Sequence, residues 1–270
     1  MPRIYCGAAI GGRYAITARS AAVIAEAGVE RVEIPFTEGS FAYHDKTALA
    51  EAARLLAAES VICRSVHLGF ETDYDISSLD DSIRRRTVDD MKYGLSVAPI
   101  LGAGMAVVHG SSEPITDDER PRRLSAAGES LKELCEVGGR HGVRIALELL
   151  PRTCLGNTSA EALEIVEGLG ESRIGFCVDV NHVNLREEPA DVVRALGKRI
   201  LTFHISDNDG VDEKHWFPFE GVIDWQSFMD AVREIGYGGQ FIFETVGSLK
   251  GDPRAYLDEL RARFDRLMAL

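Results

Sequence analysis

The chain alternates between short runs of apolar, often β-branched residues and longer stretches in which apolar residues recur at helical spacing. Some short runs, such as Ile145–Leu147 and Phe241–Phe243, are apolar at consecutive positions, which is typical of parallel strands buried on both faces. The short runs predict β-strands at Ile4–Ala8, Val32–Ile34, Val61–Leu68, Met105–His109, Arg144–Leu149, Ile174–Val180, Ile200–Ile205 and Gln240–Phe243.

Amphipathic stretches follow these strands, and glycines such as Gly28 and Gly102 stand after their ends. They predict helices at Thr17–Ala27, Lys46–Ser60, Thr87–Leu101, Leu124–His141, Thr158–Leu169, Ala190–Leu196, Asp224–Ile235 and Arg254–Met268. Eight strand-helix units in 270 residues favour an α/β fold of the (β/α)8 TIM barrel type over a doubly wound sheet. Because no linker or change of composition interrupts the pattern, residues 1–270 are predicted to form a single domain.

The composition narrows the range of partners. The net charge of −13 repels nucleic-acid phosphates, so no nucleic-acid partner is expected. No apolar run comes near the length of about 18 residues that a membrane-spanning helix needs. The first residues lack the apolar core that is typical of a signal peptide. The five cysteines are widely spaced without a Cys-x-x-Cys pair, which indicates buried, reduced thiols in a cytoplasmic protein.

Ligand-type side chains stand at the C-terminal ends of seven of the eight predicted strands, and these ends meet at one mouth of a TIM barrel. In chain order they are Glu33, His67, His109, Glu148, Asp179 (with His182 just after it), His204 and Glu244. Any one of them has an ordinary alternative as a satisfied core residue or a salt-bridge partner. Their recurrence at so many strand ends favours a functional site at the mouth.

The carboxylates of this set need a counter-charge. Glu148, Asp179 and Glu244 would repel one another and lose hydration if they were packed together without a cation. Two glutamates, one aspartate and one histidine form an oxygen-rich ligand set that suits Mn²⁺, Mg²⁺ or Co²⁺, with Zn²⁺ as a further alternative. We therefore predict a divalent metal cofactor, with Mn²⁺ as the expected ion.

Other charged runs are interpreted as solvated surface. The acidic positions are expected to be helix caps in contact with water, and they are Asp75, Asp80–Asp81 and Asp117–Glu119. The basic runs Arg84–Arg86 and Arg120–Arg123 are expected to be exposed helix faces, with a phosphate contact as the weaker alternative.

Four stretches carry a resemblance to a known family. They are Ala146–Glu148, Cys177–His182, Phe203–Gly210, and the segment from His215 to Trp225 that is followed by Glu234–Tyr237 and Phe243–Glu244. In this order and spacing the sequence resembles the xylose isomerase-like TIM barrel superfamily. That superfamily holds sugar isomerases and epimerases together with metal-dependent apurinic-site endonucleases, and the resemblance covers nearly the whole chain.

The resemblance implies roles for particular residues. Four of them match the metal ligands of the sugar epimerases: Glu148, Asp179, His204 and Glu244. Glu148 and Glu244 also match the pair that moves protons in those enzymes, so they are the predicted catalytic residues. His182 matches a substrate-binding residue, and a histidine of this kind is the alternative proton carrier.

Further histidines match residues with two roles in the superfamily. His67 and His109 correspond to ligands of additional metals in the endonuclease branch and to residues that line the sugar pocket in other members. His215 follows Glu213, where the endonuclease branch has Asp-x-His. Substrate binding by these histidines is the preferred interpretation, and a second metal ion is the alternative.

The loop from Asp207 to Gly221 is expected to contribute to the pocket. It holds His215 and several aromatic residues, of which Trp216 is predicted to cover the apolar face of a sugar. Phe219 stands where the family commonly has a glycine, which leaves the geometry of this loop open.

The function predicted on this basis is a metal-dependent sugar or keto-sugar isomerase or epimerase that abstracts a proton next to a carbonyl through a metal-stabilised enediolate. A lyase or dehydratase on a keto-sugar, keto-glycoside or keto-inositol would use the same first step and is the alternative. An apurinic-site endonuclease and a non-catalytic sugar-binding barrel are weaker alternatives. The expected partner is a small carbohydrate, without a membrane, and the oligomeric state stays open, with a homo-oligomer as one alternative.

Overall fold

The computed structural model describes residues 2–10, 15–37, 39–71, 73–245 and 252–270. Within these ranges eight parallel strands close into a barrel in which each strand pairs with the next along the chain and β8 pairs with β1. The strands are β1 (Tyr5–Ala9), β2 (Arg31–Phe36), β3 (Ile62–Leu68), β4 (Met105–His109), β5 (Arg144–Glu148), β6 (Ile174–Asp179), β7 (Ile200–Ile205) and β8 (Gln240–Phe243). The predicted (β/α)8 TIM barrel is confirmed.

Helices connect the strands around the outside of the barrel. They are α1 (Ala18–Glu26), α2 (Lys46–Ala58), α3 (Asp81–Val97), α4 (Arg120–His141), α5 (Ser159–Ile165), α6 (Val180–Val183), α7 (Pro189–Leu196), α8 (Trp225–Glu234) and α9 (Pro253–Met268). Two short 3₁₀ segments, Ala98–Leu101 and Gly197–Arg199, extend α3 and α7. None of the helices in the described ranges is long and apolar enough to cross a bilayer.

Several predicted helix ends were wrong. α3 begins at Asp81 rather than Thr87, because the side chain of Asp80 caps it by accepting from the backbone N–H groups of Ser82 and Ile83. α4 likewise begins at Arg120 rather than Leu124. Arg84–Arg86 and Arg120–Arg123 lie within the first two turns of these helices, so the apolar pattern alone placed both starts too late.

The main hydrophobic core lies between the barrel and the surrounding helices, and includes Val66 and Val178. A second, smaller cluster of Met105, Val107, Ala146 and Cys177 is buried separately. All five cysteines are buried and unpaired, as predicted.

Asp75 is not the solvated cap that the sequence predicted. Its carboxylate is 3% exposed, and it accepts hydrogen bonds from Ser77, from Ser112 at 2.9 Å and from Arg123 at 3.0 Å. The interpretation of Arg123 as a solvated helix face was therefore wrong as well. This buried ion pair joins the loop after β3 to the loop after β4 and to α4.

Candidate metal centre and active site

The strand register brings the predicted side chains to one level of the barrel. His109 pairs with Glu148 across β4 and β5, and Asp179 pairs with His204 across β6 and β7. Glu244 follows the last residue of β8, and its backbone N–H donates to the carbonyl of Ile205. Because side chains that face the inside of a barrel recur at every second residue, this register points all of these groups toward a shared centre.

Four of these side chains converge on one point. Glu148, Asp179, His204 and Glu244 each offer one ligand atom, and the four atoms lie within 4.8 Å of one another. The Nδ1 atom of His204 lies 2.9 Å from Glu244 Oε2, 3.5 Å from Glu148 Oε1 and 3.8 Å from Asp179 Oδ2. The side chains of Glu148, Asp179 and His204 are at most 1% exposed.

Two buried atoms of this set, Asp179 Oδ2 and His204 Nδ1, make no hydrogen bond of normal geometry, although His204 Nδ1 lies 2.9 Å from Glu244 Oε2. A buried polar atom without a hydrogen bond lowers the folding stability, so two such atoms beside two further carboxylates require an explanation. A divalent cation provides one, because it accepts lone pairs from carboxylate oxygens and from a neutral imidazole nitrogen. The donor set therefore fits the predicted metal cofactor.

A buried carboxylate on β2 orients the histidine of this set. The other ring nitrogen of His204, Nε2, lies 2.9 Å from Glu33 Oε1. The second oxygen of Glu33 accepts from Ser65 Oγ at 2.6 Å, and Ser65 Oγ in turn accepts from Gln240 Nε2 at 2.9 Å. A carboxylate in this position fixes the tautomer that leaves Nδ1 free for a metal. The sequence identified Glu33 at a strand end but gave no sign of this role.

Two more histidines contact Glu148. His67 Nε2 and His109 Nε2 lie 3.1 Å and 3.2 Å from Glu148 Oε2, whereas His204 Nδ1 lies 3.5 Å from the other oxygen, Oε1. These three residues form a second group with metal-ligand spacing. The His109 ring is stacked on Phe70, with 4.1 Å between ring centroids.

A third group lies at the outer side of the centre and is formed by His182, Glu213 and His215. His182 Nε2 lies 3.2 Å from Glu213 Oε2, while its Nδ1 lies 3.1 Å from the carbonyl of Leu149. Both nitrogens of His182 are thus engaged. Glu213 also forms an ion pair with Arg152. Arg152 was not among the site residues predicted from the sequence.

The charges in the centre depend on one another. Burial by itself would raise the pKa of Glu148, but the charges of His109 and His204 hold it well below its usual value. Burial raises the pKa of Asp179, and the neighbouring Glu148 and Glu244 raise it further. The pKa of His182 is well above its usual value, because the charge of Asp179 and hydrogen bonds with Glu148 and Glu213 outweigh the effect of burial.

A cavity of about 300 Å³ opens above the centre. Among the predicted site residues, Glu148, Glu244, His109, His182 and His215 line it. His67 lies behind them against Glu148, and Trp216 is absent from the lining.

The aromatic wall of this cavity is provided by Phe70, on the loop after β3, whose side chain is 42% exposed. Trp216 is instead partly exposed and pairs with Asp207 through its backbone. Its predicted contact with substrate remains a prediction. Phe217 packs against Tyr256 and Phe219 against Trp225, and neither lines the cavity.

The loop after β7 is held in place by one buried carboxylate. Asp207 accepts hydrogen bonds from Trp225 Nε1 and from the backbone N–H of Phe219, both at 2.9 Å. Phe219 has a φ of 74°, a left-handed conformation that favours the glycine usual here, and Asp207 supports it. His215, which lines the cavity, also has a positive φ of 47°.

Comparisons with known proteins agree with this architecture. A family model described as xylose isomerase-like TIM barrel matches residues 21–266. An uncharacterised protein of Methanocaldococcus jannaschii is 30% identical over 185 residues, which are 66% of this chain and 63% of that protein. The chain thus spans less than two thirds of the length of that relative.

Other similar proteins carry the names of sugar epimerases. Fructoselysine 3-epimerase of Escherichia coli O157:H7 is 26% identical over 202 residues, which are 72% of each chain. The crystal structure of a D-tagatose 3-epimerase-like protein has a TM-score of 0.84 and 25% identity, and the match covers 98% of this chain and 99% of that chain.

Proposed function

The chain belongs to the xylose isomerase-like TIM barrel family, and from that membership we propose that it is a divalent-metal-dependent sugar or keto-sugar isomerase or epimerase. One relative is named as a fructoselysine 3-epimerase, and a similar solved structure is described as D-tagatose 3-epimerase-like, which supports an activity of this class. The observation that carries the metal dependence is the pair of buried atoms Asp179 Oδ2 and His204 Nδ1, which make no hydrogen bond of normal geometry, beside Glu148 and Glu244.

Glu148, Asp179, His204 and Glu244 would hold the cation. When bound there, a divalent cation supplies a Lewis acid that stabilises the negative charge developing on the substrate oxygens. Mn²⁺ is the expected ion, because the set is rich in oxygen and contains one nitrogen ligand.

Glu148 and Glu244 are the proposed acid–base pair. Both line the cavity, and they come from β5 and from the end of β8, so they can approach a bound sugar from different sides. One carboxylate removes the proton next to the carbonyl, and the other returns a proton to the opposite face. His182 is the weaker alternative as the base, because both of its ring nitrogens are already engaged.

The charge of the cavity supports a small carbohydrate as partner and argues against nucleic acid. Five glutamates line it, and among the described residues its only arginine or lysine is Arg152. Arg152 is ion-paired with Glu113 and Glu213 and therefore has little charge left for a phosphate. The endonuclease alternative is the less favoured one for this reason.

Hydrogen exchange tests the proposal directly. The metal-loaded protein is incubated in D₂O with a panel of free ketoses and fructoselysine, and solvent deuterium is expected at the carbon next to the carbonyl. Glu148→Gln and Glu244→Gln should keep a metal-binding oxygen and lose this exchange. If both variants bind metal and still exchange the proton at the normal rate, the pair is not the base. A product lighter by one water would identify the dehydratase alternative, and release of the aglycone from a keto-glycoside would identify the lyase alternative.

A further inference from the structure

The opposite end of the barrel contains a second cavity, of about 350 Å³, which we call the basal cavity. None of the proposed metal ligands lines it. Four basic side chains do, and they are Arg31, Arg64, Arg144 and Lys198.

The topology explains why these four cations meet. Arg31 and Arg144 are the first residues of β2 and β5, and Lys198 lies just before β7. In a parallel barrel the beginnings of all strands lie at the same end. Arg64 reaches this end through an irregularity in β3, where the register with β2 passes from Cys63 directly to Ser65.

The four cations have no acidic counterpart. Neither Asp nor Glu lines the basal cavity, and no carboxylate of the described residues forms an ion pair with any of the four. In a chain with a net charge of −13, elsewhere rich in ion pairs, this concentration of unpaired positive charge is unusual. Two of the four contact groups that carry no net negative charge. Arg31 lies over the ring of Tyr5 at 4.2 Å, and Arg144 donates to the backbone carbonyl of Glu171 at 2.8 Å.

Two observations at Arg144 show that this arrangement suits an anion. Arg144 Nε is buried and has no hydrogen-bond acceptor. Burial lowers the pKa of Arg144, and the nearby positive charge of Arg64 lowers it further. Gly104 leaves room for this approach, because a Cβ atom there would lie 2.8 Å from Arg64 Nη1. An anion between the guanidinium groups would provide the acceptor and remove the repulsion.

We propose that the basal cavity binds a small tetrahedral oxyanion, such as phosphate or sulfate. Arginine guanidinium groups present forked donors that match the oxygens of such groups. The volume lies at the lower end of the range of about 300–1,000 Å³ found for small-molecule sites, so the ligand is compact. This site lies at the opposite end of the barrel from the carbohydrate site proposed at the mouth.

Titration calorimetry of the metal-loaded protein with inorganic phosphate and with sulfate tests the proposal, using chloride at matched ionic strength as the reference. Saturable binding of both oxyanions is expected. The double variant Arg64→Gln/Lys198→Gln removes two exposed side chains, so it should fold normally, and it should bind phosphate at least about tenfold more weakly. Arg122→Gln, which removes an exposed cation from α4 away from the cavity, is the matched control and should bind as the wild type does.

A second variant distinguishes the basal cavity from the mouth. Asp179→Asn alters the proposed metal set and should leave phosphate affinity unchanged. The proposal is overturned if phosphate acts no differently from chloride, if the double variant binds phosphate like the wild type, or if Asp179→Asn abolishes the binding.

Discussion

Replacing Glu33 by glutamine changes the surroundings of the proposed metal site and leaves all four proposed metal ligands in place. Glu33 is 1% exposed and accepts hydrogen bonds on both of its oxygens, from His204 Nε2 at 2.9 Å and from Ser65 Oγ at 2.6 Å. Glutamine keeps one oxygen for His204 and loses the negative charge. Its amide nitrogen then faces the Ser65 hydroxyl, which already accepts from Gln240.

The magnitude follows from these contacts. Removing the carboxylate partner of a metal-binding histidine lowers metal affinity by about 10–100-fold. This range corresponds to about 1.4–2.7 kcal/mol. Because Glu33→Gln retains an acceptor for His204, we expect a result near the lower end. The Ser65 hydroxyl loses its acceptor, and that loss costs about 1–3 kcal/mol of folding stability separately from the effect on metal binding.

Competition of the metal-free protein with a chromophoric chelator for Mn²⁺ measures the affinity. Ser65→Ala is the matched control, because it removes the hydrogen bond to Glu33 and leaves the carboxylate charge beside His204 in place. It should change the metal affinity much less than Glu33→Gln does. The reasoning is wrong if Glu33→Gln binds Mn²⁺ within about twofold of the wild type, because the loss of a carboxylate that orients a metal-binding histidine lowers metal affinity by about tenfold or more.

Other substitutions test other parts of the site. Asp179→Asn should lower metal content and activity together, and full metal occupancy measured by elemental analysis would remove Asp179 from the ligand set. Phe70→Ala should raise KM about 2–10-fold through the loss of ring stacking, with kcat less affected. Steady-state kinetics of Trp216→Ala test the aromatic contact predicted from sequence, and unchanged constants would exclude it. The pKa of His182 is raised in the folded protein, so protonation of His182 stabilises the metal-free fold at pH values below the pKa that this residue has in the unfolded chain. This contribution is lost as the pH rises through the pKa of His182 in the folded state. The unfolding temperature of metal-free His182→Gln should therefore depend less on pH in the alkaline range than that of the wild type.

The strands and their polar ends were predictable because they depend on local pattern. Parallel strands buried on both faces leave a continuous apolar run, and an acidic residue or histidine that interrupts its end is conspicuous. Glu148, Asp179 and His204 were found in this way, and the structure brings them together with Glu244.

The supporting contacts were not predictable, since they join distant parts of the chain. Glu33 and His204 are separated by 171 residues, and nothing beside either residue indicates the other. Asp75 and Arg123 resembled surface residues of a loop and a helix, and their burial depends on how two loops pack. Arg152, which lies after β5, has a φ of 50°, a left-handed conformation. Glycine usually marks such a position, and because the residue here is arginine, the turn could not be predicted.

The hydrogen bonds from Gln240 through Ser65 and Glu33 to His204 have a consequence for protein engineering. In TIM barrels the N-terminal face is usually treated as the safe side for stabilising substitutions, because chemistry takes place at the other end. Here Gln240, which lines the basal cavity, is the first member of a continuous chain that ends on a proposed metal ligand. A library that repacks the surroundings of Gln240 changes the far end of this chain, so its members should be screened for metal affinity as well as for stability.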